Sequence, residues 1–140
     1  MTVSTHDERT LTELDHARLA RLWRDTGDAL APRAEHRVDA ILDTAELVPP
    51  HAVSPDVVTM YSQVELADLE TGRRYKLTVC YPADAEPAEG FVSVLSPAGT
   101  SLLGLRVGAV ARWRGPTGEQ RAAKLIALLF QPEASGDFTL

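Results

Sequence analysis

The sequence predicts an α+β fold: an N-terminal antiparallel helical hairpin, a short coiled coil, followed by a C-terminal antiparallel sheet holding one short helix. Three observations predict it. The apolar period is helical before Pro49 and alternating after Pro55. Between them, Pro49-Pro-His-Ala-Val-Ser-Pro55 carries three prolines, which suppress helix and favour extended backbone, so this stretch reads as a semi-rigid linker. The run Ser93-Val-Leu-Ser-Pro-Ala-Gly-Thr-Ser-Leu-Leu-Gly-Leu-Arg-Val-Gly108 packs a strand end, a capped helix and two glycine stops together. The domains implied are 1–52, the hairpin and linker start, and 53–140.

The first helix is expected from Thr10 to about Arg24. Thr10 and Glu13 have capping-box spacing, and Leu11, Leu14, Leu19 and Leu22 fall on one broad face that Arg18 interrupts. Asp25-Thr-Gly-Asp28 supplies breakers. The second helix carries Ala34, Val38, Ile41, Leu42 and Ala45 on a narrow stripe and ends near Leu47. Two amphipathic helices with a short connection pack antiparallel, each burying the other's stripe. A pair this short is marginal in water, so it is expected to lean on the C-terminal domain or to be held by Trp23.

Beyond the linker, Val57 and Val58 open a β-rich region. Val64, Leu66 and Leu69 alternate with polar neighbours, Thr71-Gly72 turns the chain, and Tyr75, Leu77 and Val79 alternate again, the pattern of an antiparallel hairpin. Ala83 to Gly90 is an acidic loop. In the Ser93–Gly108 run, Ser96 stands where an N-cap hydroxyl accepts from an orphan amide, and Pro97 suits the first helical position, which needs no amide. Leu102, Leu103 and Leu105 form its apolar face, and Gly104 is free to take the left-handed conformation that ends a helix. A strand around Trp113, a turn at Gly115-Pro-Thr-Gly118 and a strand from Ala122 to Phe130 complete the sheet. The nearly unbroken apolar run Leu125–Phe130 predicts a central strand buried on both faces, with a buried helix as the alternative that periodicity alone leaves open. The polar tail is expected to dock loosely through Phe138.

Composition narrows the function classes. The 140 residues are 44% hydrophobic, which is globular and excludes disorder of the whole. A single cysteine, Cys80, forms no intramolecular disulfide, and the dispersed His6, His16, His36 and His51 have no zinc-site spacing, so a reducing cytoplasm without metal or cofactor is expected. No apolar run is long enough for a bilayer, and the first residues lack a signal-peptide pattern. The net charge is −6, concentrated in residues 1–52, so strong independent nucleic-acid binding is not expected. Basic partners, or ones displaying a metal ion, fit the sign better. Glycines are scattered at turns rather than arranged to cradle phosphate, and no serine has a nucleophile-elbow context, so nothing points to an enzyme.

The Ser96-Pro97, small-helix, Leu103-Gly104, Val107-Gly108 pattern resembles the C-terminal domain of the Gre-type (GreA/GreB) transcription elongation factors. Pro55-Asp-Val-Val-Thr-Met60, Leu69-Glu-Thr-Gly72, Tyr81-Pro-Ala-Asp84, Leu129-Phe-Gln-Pro-Glu-Ala134 and Gly136-Asp137 are similar to the smaller members that regulate nucleoside diphosphate kinase. The resemblance implies an FKBP-like C-terminal domain and a cytoplasmic bacterial regulator that binds RNA polymerase near its secondary channel and competes with Gre factors. In Gre cleavage factors it also implies a hairpin tip reading Gly-Asp-Leu-Arg-Glu-Asn, whose paired acids help hold a second magnesium ion. Here Gly27-Asp28 is followed by Ala29, Leu30, Ala31 and Pro32, and the second carboxylate is absent at that spacing.

Asp25 and Asp28 are therefore the hairpin-tip candidates for polymerase binding, with transcript-cleavage activation through this pair as the alternative. Capping helix ends in solvent is their bland role. Arg73, Arg74 and Lys76, the one dense basic cluster, are the domain-surface candidates for an acidic rim of the polymerase, against the plainer role of a solvated edge. A further alternative is direct binding to nucleoside diphosphate kinase. An FKBP-like fold raises prolyl isomerisation too, but the aromatics fall mostly at strand positions a core needs.

Overall fold

The computed structural model describes residues 8–30 and 38–138, with side chains except at 27–30. The chain starts with a strand where a helix was expected. Thr10–Thr12 (β1) pairs in parallel with Glu46–Val48 (β2), and Thr10 N donates to Gly104 O at 3.1 Å. Two β-branched threonines around Leu11 favour extended backbone. The cap moves to Thr12, whose Oγ1 accepts from Asp15 N at 3.0 Å, and the helix α1 runs over Glu13–Leu30.

That helix passes straight through Asp25-Thr-Gly-Asp28, so these residues break nothing. Thr26 donates its hydroxyl back to Leu22 O at 2.8 Å, and one internal glycine costs only about 1 kcal/mol. Residues 31–37, among them Ala34 of the expected stripe, lie outside the described residues. The described part, α2, spans Val38–Thr44 and gives way to β2, where Leu47 is exposed instead of closing an apolar stripe. Val38 and Ile41 are buried, and His16 of α1 meets Leu42 O at 2.9 Å.

The second part is a curled, mostly antiparallel sheet. Its strands are Gln63–Asp68 (β3), Arg74–Cys80 (β4), Phe91–Ser93 (β5), Val110–Arg114 (β6) and Gln120–Phe130 (β7), in the order β5-β4-β3-β7-β6. The β4–β5 pairing is parallel and the others antiparallel. One face carries Val64, Leu66, Val79, Ala111, Ala123 and Leu125 into a core shared with Leu102, Leu103 and Leu105, and with Leu11 and Leu19 of the N-terminal segment. The leucines of the Ser93–Gly108 run are thus core. The long strand β7 is an inner strand, paired with β3 on one side and β6 on the other, but it is buried on one face only, because Lys124 faces solvent between buried Ala123 and Leu125.

The short helix α3, Pro97–Leu102, is built as its sequence predicts. Ser96 Oγ accepts from Gly99 N at 3.1 Å, Pro97 takes the first turn, and Gly104 sits at φ +83°. The tail is held differently from expectation. Phe138 is exposed, and the anchor is buried Gln131, whose Nε2 donates to Ser54 O at 2.8 Å and Val57 O at 2.7 Å.

Candidate functional site

Two regions of the described chain concentrate charge. The first is the junction of α1 with the sheet domain. Asp15 stands one helical turn before Leu19 on the same side of α1, so burying that leucine draws its carboxyl inward, to 2% exposure. There its Oδ2 accepts from Met60 N at 3.2 Å. Burial, seconded by the nearby charge of Glu133, pushes its pKa up to about 6, against the pull of the Met60 amide, Thr12 and Arg18.

Around this carboxyl, Thr59 Oγ1 donates to Glu133 Oε1 at 2.7 Å and meets Ser62 Oγ at 3.0 Å. Tyr61 and Tyr81 pack edge to face with ring centres 5.8 Å apart, and the Tyr61 hydroxyl donates to Asp84. Burial and that bond push the Tyr61 hydroxyl up to about 12; burial and the charge of Asp15 raise Tyr81 as well. Tyr61 holds φ +67°, a conformation that L side chains other than Asn and Asp rarely adopt. The hydroxyls of Thr59, Ser62 and Tyr61 bond one another or the carboxylates of Glu133 and Asp84, which makes this a polar joint between the two parts. Among the described residues no three His, Cys, Asp or Glu side chains stand together as a metal set would.

The second region is the open face of the sheet. Of the basic trio, Arg73 stands in the turn before β4, while Arg74 and Lys76 project from β4 and are exposed. Strand pairing brings them into register with cations distant in sequence. Arg74 is opposite Ala67, Ala67 opposite Lys124, and Lys124 opposite Val110, with Arg112 and Arg114 further along the same side of β6. Sequence reading missed Arg112, Arg114 and Lys124 because only the register joins them to Arg74. It missed Asp15 too, although its spacing of four from Leu19 was a visible signal.

The hairpin acids fall within α1. Asp25 is exposed, and position 28 follows it by one helical turn. Both belong to α1 whereas Arg74 and Lys76 belong to β4, and residues 31–37 lie outside the described part.

The family description "Transcription elongation factor, GreA/GreB, C-term" matches residues 53–129. Over 130 residues the chain is 36% identical to the regulator of nucleoside diphosphate kinase of Escherichia coli K12, covering 93% of this chain and 95% of that protein. It is 36% identical over 105 residues to the transcription inhibitor protein Gfh1 of Thermus aquaticus, 70% of this chain and 67% of that one. Among solved structures, a GreA/GreB elongation factor from Nitrosomonas europaea superposes with a TM-score of 0.69 at 30% identity, covering 88% of this chain and all of that one. Sequence and fold agree over both parts of the chain, which belongs to the GreA/GreB transcription elongation factor family.

Proposed function

We propose that this chain is a non-catalytic bacterial transcription regulator that binds RNA polymerase near its secondary channel and competes there with Gre factors. The observation that carries the reading is the joint in which α1 is buttressed on the sheet domain by Leu11, Leu19 and the Asp15–Met60 bond. A helix of 18 residues, about 27 Å long, is then a positioned arm rather than a tethered one. Support comes also from relatives whose names describe transcription elongation and its inhibition. Asp25 and Asp28 near the end of the arm, and Arg73, Arg74 and Lys76 on the domain, are the proposed polymerase contacts. A pull-down with purified core polymerase tests this: binding at micromolar protein, displaced by a Gre factor, is expected, and no binding beside a Gre factor that does bind overturns it.

One observation favours a second reading. Because α1 continues through Asp28, positions 25 and 28 lie one turn apart, with Cβ atoms about 5–6 Å from each other on a regular helix. A cleavage activator using this pair would release short RNA from backtracked complexes, and Asp28→Ala would abolish the release. A third reading, direct regulation of a nucleoside diphosphate kinase, is supported by the name of the Escherichia coli relative and is tested by calorimetry with that kinase.

A further inference from the structure

Across β4, β3, β7 and β6 the solvent-facing side chains form ordered rows. One row reads Arg74, Ala67, Lys124, Val110, and the next toward the ends of β3 and β7 reads Lys76, Glu65, Ala127. On the opposite side of the first row lie Arg112, paired with Ala122, and then Arg114, paired with Gln120. Arg74, Lys76, Arg112, Arg114 and Lys124 are all exposed. Residues 53–140 hold 8 basic and 10 acidic side chains, yet these rows bring together five of the basic ones and, of the acids, Glu65, which reaches Arg74 at 4.0 Å. Glu70 and Glu119 stand at the hairpin rims. A chain of net charge −6 has therefore set five of the eight basic side chains of residues 53–140 on one open surface.

The far row of the same face ends in aromatics. Phe130 is opposite Gln63 across a register shift in β7, Gln63 is opposite Thr78, which is buried, and Thr78 is opposite Phe91, which pairs in turn with Glu86; Phe130 and Phe91 are 42% and 37% exposed. Glu86 and Glu89 lie on the loop just before Phe91. From Gln120 to Phe130 the strand runs about 30 Å at ~3.3 Å per residue.

We infer that this sheet face binds single-stranded nucleic acid, the cations tracking the phosphates and Phe130, with Phe91, stacking on bases. Its composition selects that partner over an acidic protein. Protein interfaces place aromatic or aliphatic anchors near their centre and deplete lysine there. Here the centre is alanine and lysine, and the aromatics lie at one end, as on platforms where a basic track leads to stacked bases. Arg74 and Lys76 are shared with the polymerase contact proposed above, but the inference does not require that contact.

The test contains no polymerase, so the two readings fail separately. A fluorescein-labelled oligouridine of twelve nucleotides is titrated with the full chain by fluorescence anisotropy at 50 and 200 mM salt. Neutralising about four phosphates on a single strand predicts an affinity lower by about 50-fold at the higher salt. Arg112→Gln with Lys124→Gln should weaken binding about tenfold or more, and Phe130→Ala about fivefold or more. Arg24→Gln, on α1, should bind as wild type. Absence of saturation at 100 µM protein and 50 mM salt overturns the inference. So does a Phe130→Ala variant that binds like wild type, or polyglutamate competing as well as oligouridine at equal charge, which would mark the face as one for acidic protein.

Discussion

The carboxylate of Asp15 accepts the amide of Met60 at 3.2 Å, and this one bond joins the first helix to the sheet domain through a group buried to 2% exposure. Its pKa, raised from 3.8 to about 6, is higher in the folded chain than in the unfolded one. The folded state therefore holds the proton more tightly. The resulting stabilisation is fully present below about pH 4 and is lost as pH rises through 6, a swing of about 3 kcal/mol. Asp15→Asn keeps an oxygen to accept from Met60 and removes the titration. The difference in stability, variant minus wild type, should grow in the variant's favour by about 3 kcal/mol between pH 4 and pH 8, measured from urea midpoints. A difference that does not change with pH would show that Asp15 is not the buried titrating group.

Local chemistry and long-range pairing were unequally legible in the sequence. Ser96, Pro97 and Gly104 were readable because capping and left-handed backbone act within a few residues. The β1–β2 pairing was not, since Thr10 and Glu46 are partners only through tertiary structure, and a capping-box spacing at Thr10 gave the same local signal as the true cap at Thr12. The one-sided burial of β7 was missed because Ala122 and Ala127 are apolar yet small enough to face out beside Lys124. Of the candidate site, Arg74 and Lys76 were visible as a cluster, whereas Arg112, Arg114 and Lys124 needed the register.

Tyr61 at φ +67° reverses an ordinary preference. At most positions alanine is more stable than glycine because it loses less backbone entropy. In the left-handed region an L side chain instead costs about 1–2 kcal/mol. Both Tyr61→Gly and Tyr61→Ala lose the edge-to-face contact with Tyr81 and the bond to Asp84. The glycine variant should nonetheless be the more stable of the two by about 1 kcal/mol. Thermal or urea unfolding of the pair decides it, and alanine equal to or above glycine contradicts the backbone argument.

Gly99 is required by space rather than by φ. A Cβ there would collide with the Ser93 carbonyl and crowd Val94 Cα, so backbone opposes it on both counts and no side chain can swing away. Gly99→Ala must push α3 off β5, at a cost of about 3 kcal/mol or more. A fall in the urea midpoint with an unchanged m-value is expected; a wild-type midpoint would mean that the helix shifts freely.

Arg9 closes the fold from the other side. Its Nη1 donates to Leu103 O at 2.8 Å and Thr100 O at 3.1 Å, two carbonyls at the C-terminal end of α3 that the helix itself leaves without partners. A cation there also opposes the negative end of the helix dipole. The adjacent Thr10 amide bonds Gly104 O, so one short segment caps α3 and starts the β1–β2 pair. Arg9→Met keeps the aliphatic stem and removes the donors, which should destabilise the chain by about 2 kcal/mol. Arg9→Lys keeps the charge, but its shorter stem brings the ammonium less close to the two carbonyls than Nη1 stands, so its loss should be about half as large. Urea unfolding of both variants checks the order. If lysine is as damaging as methionine, the reach of Nη1 matters and the charge contributes nothing; if methionine costs nothing, solvent already satisfies the end of α3.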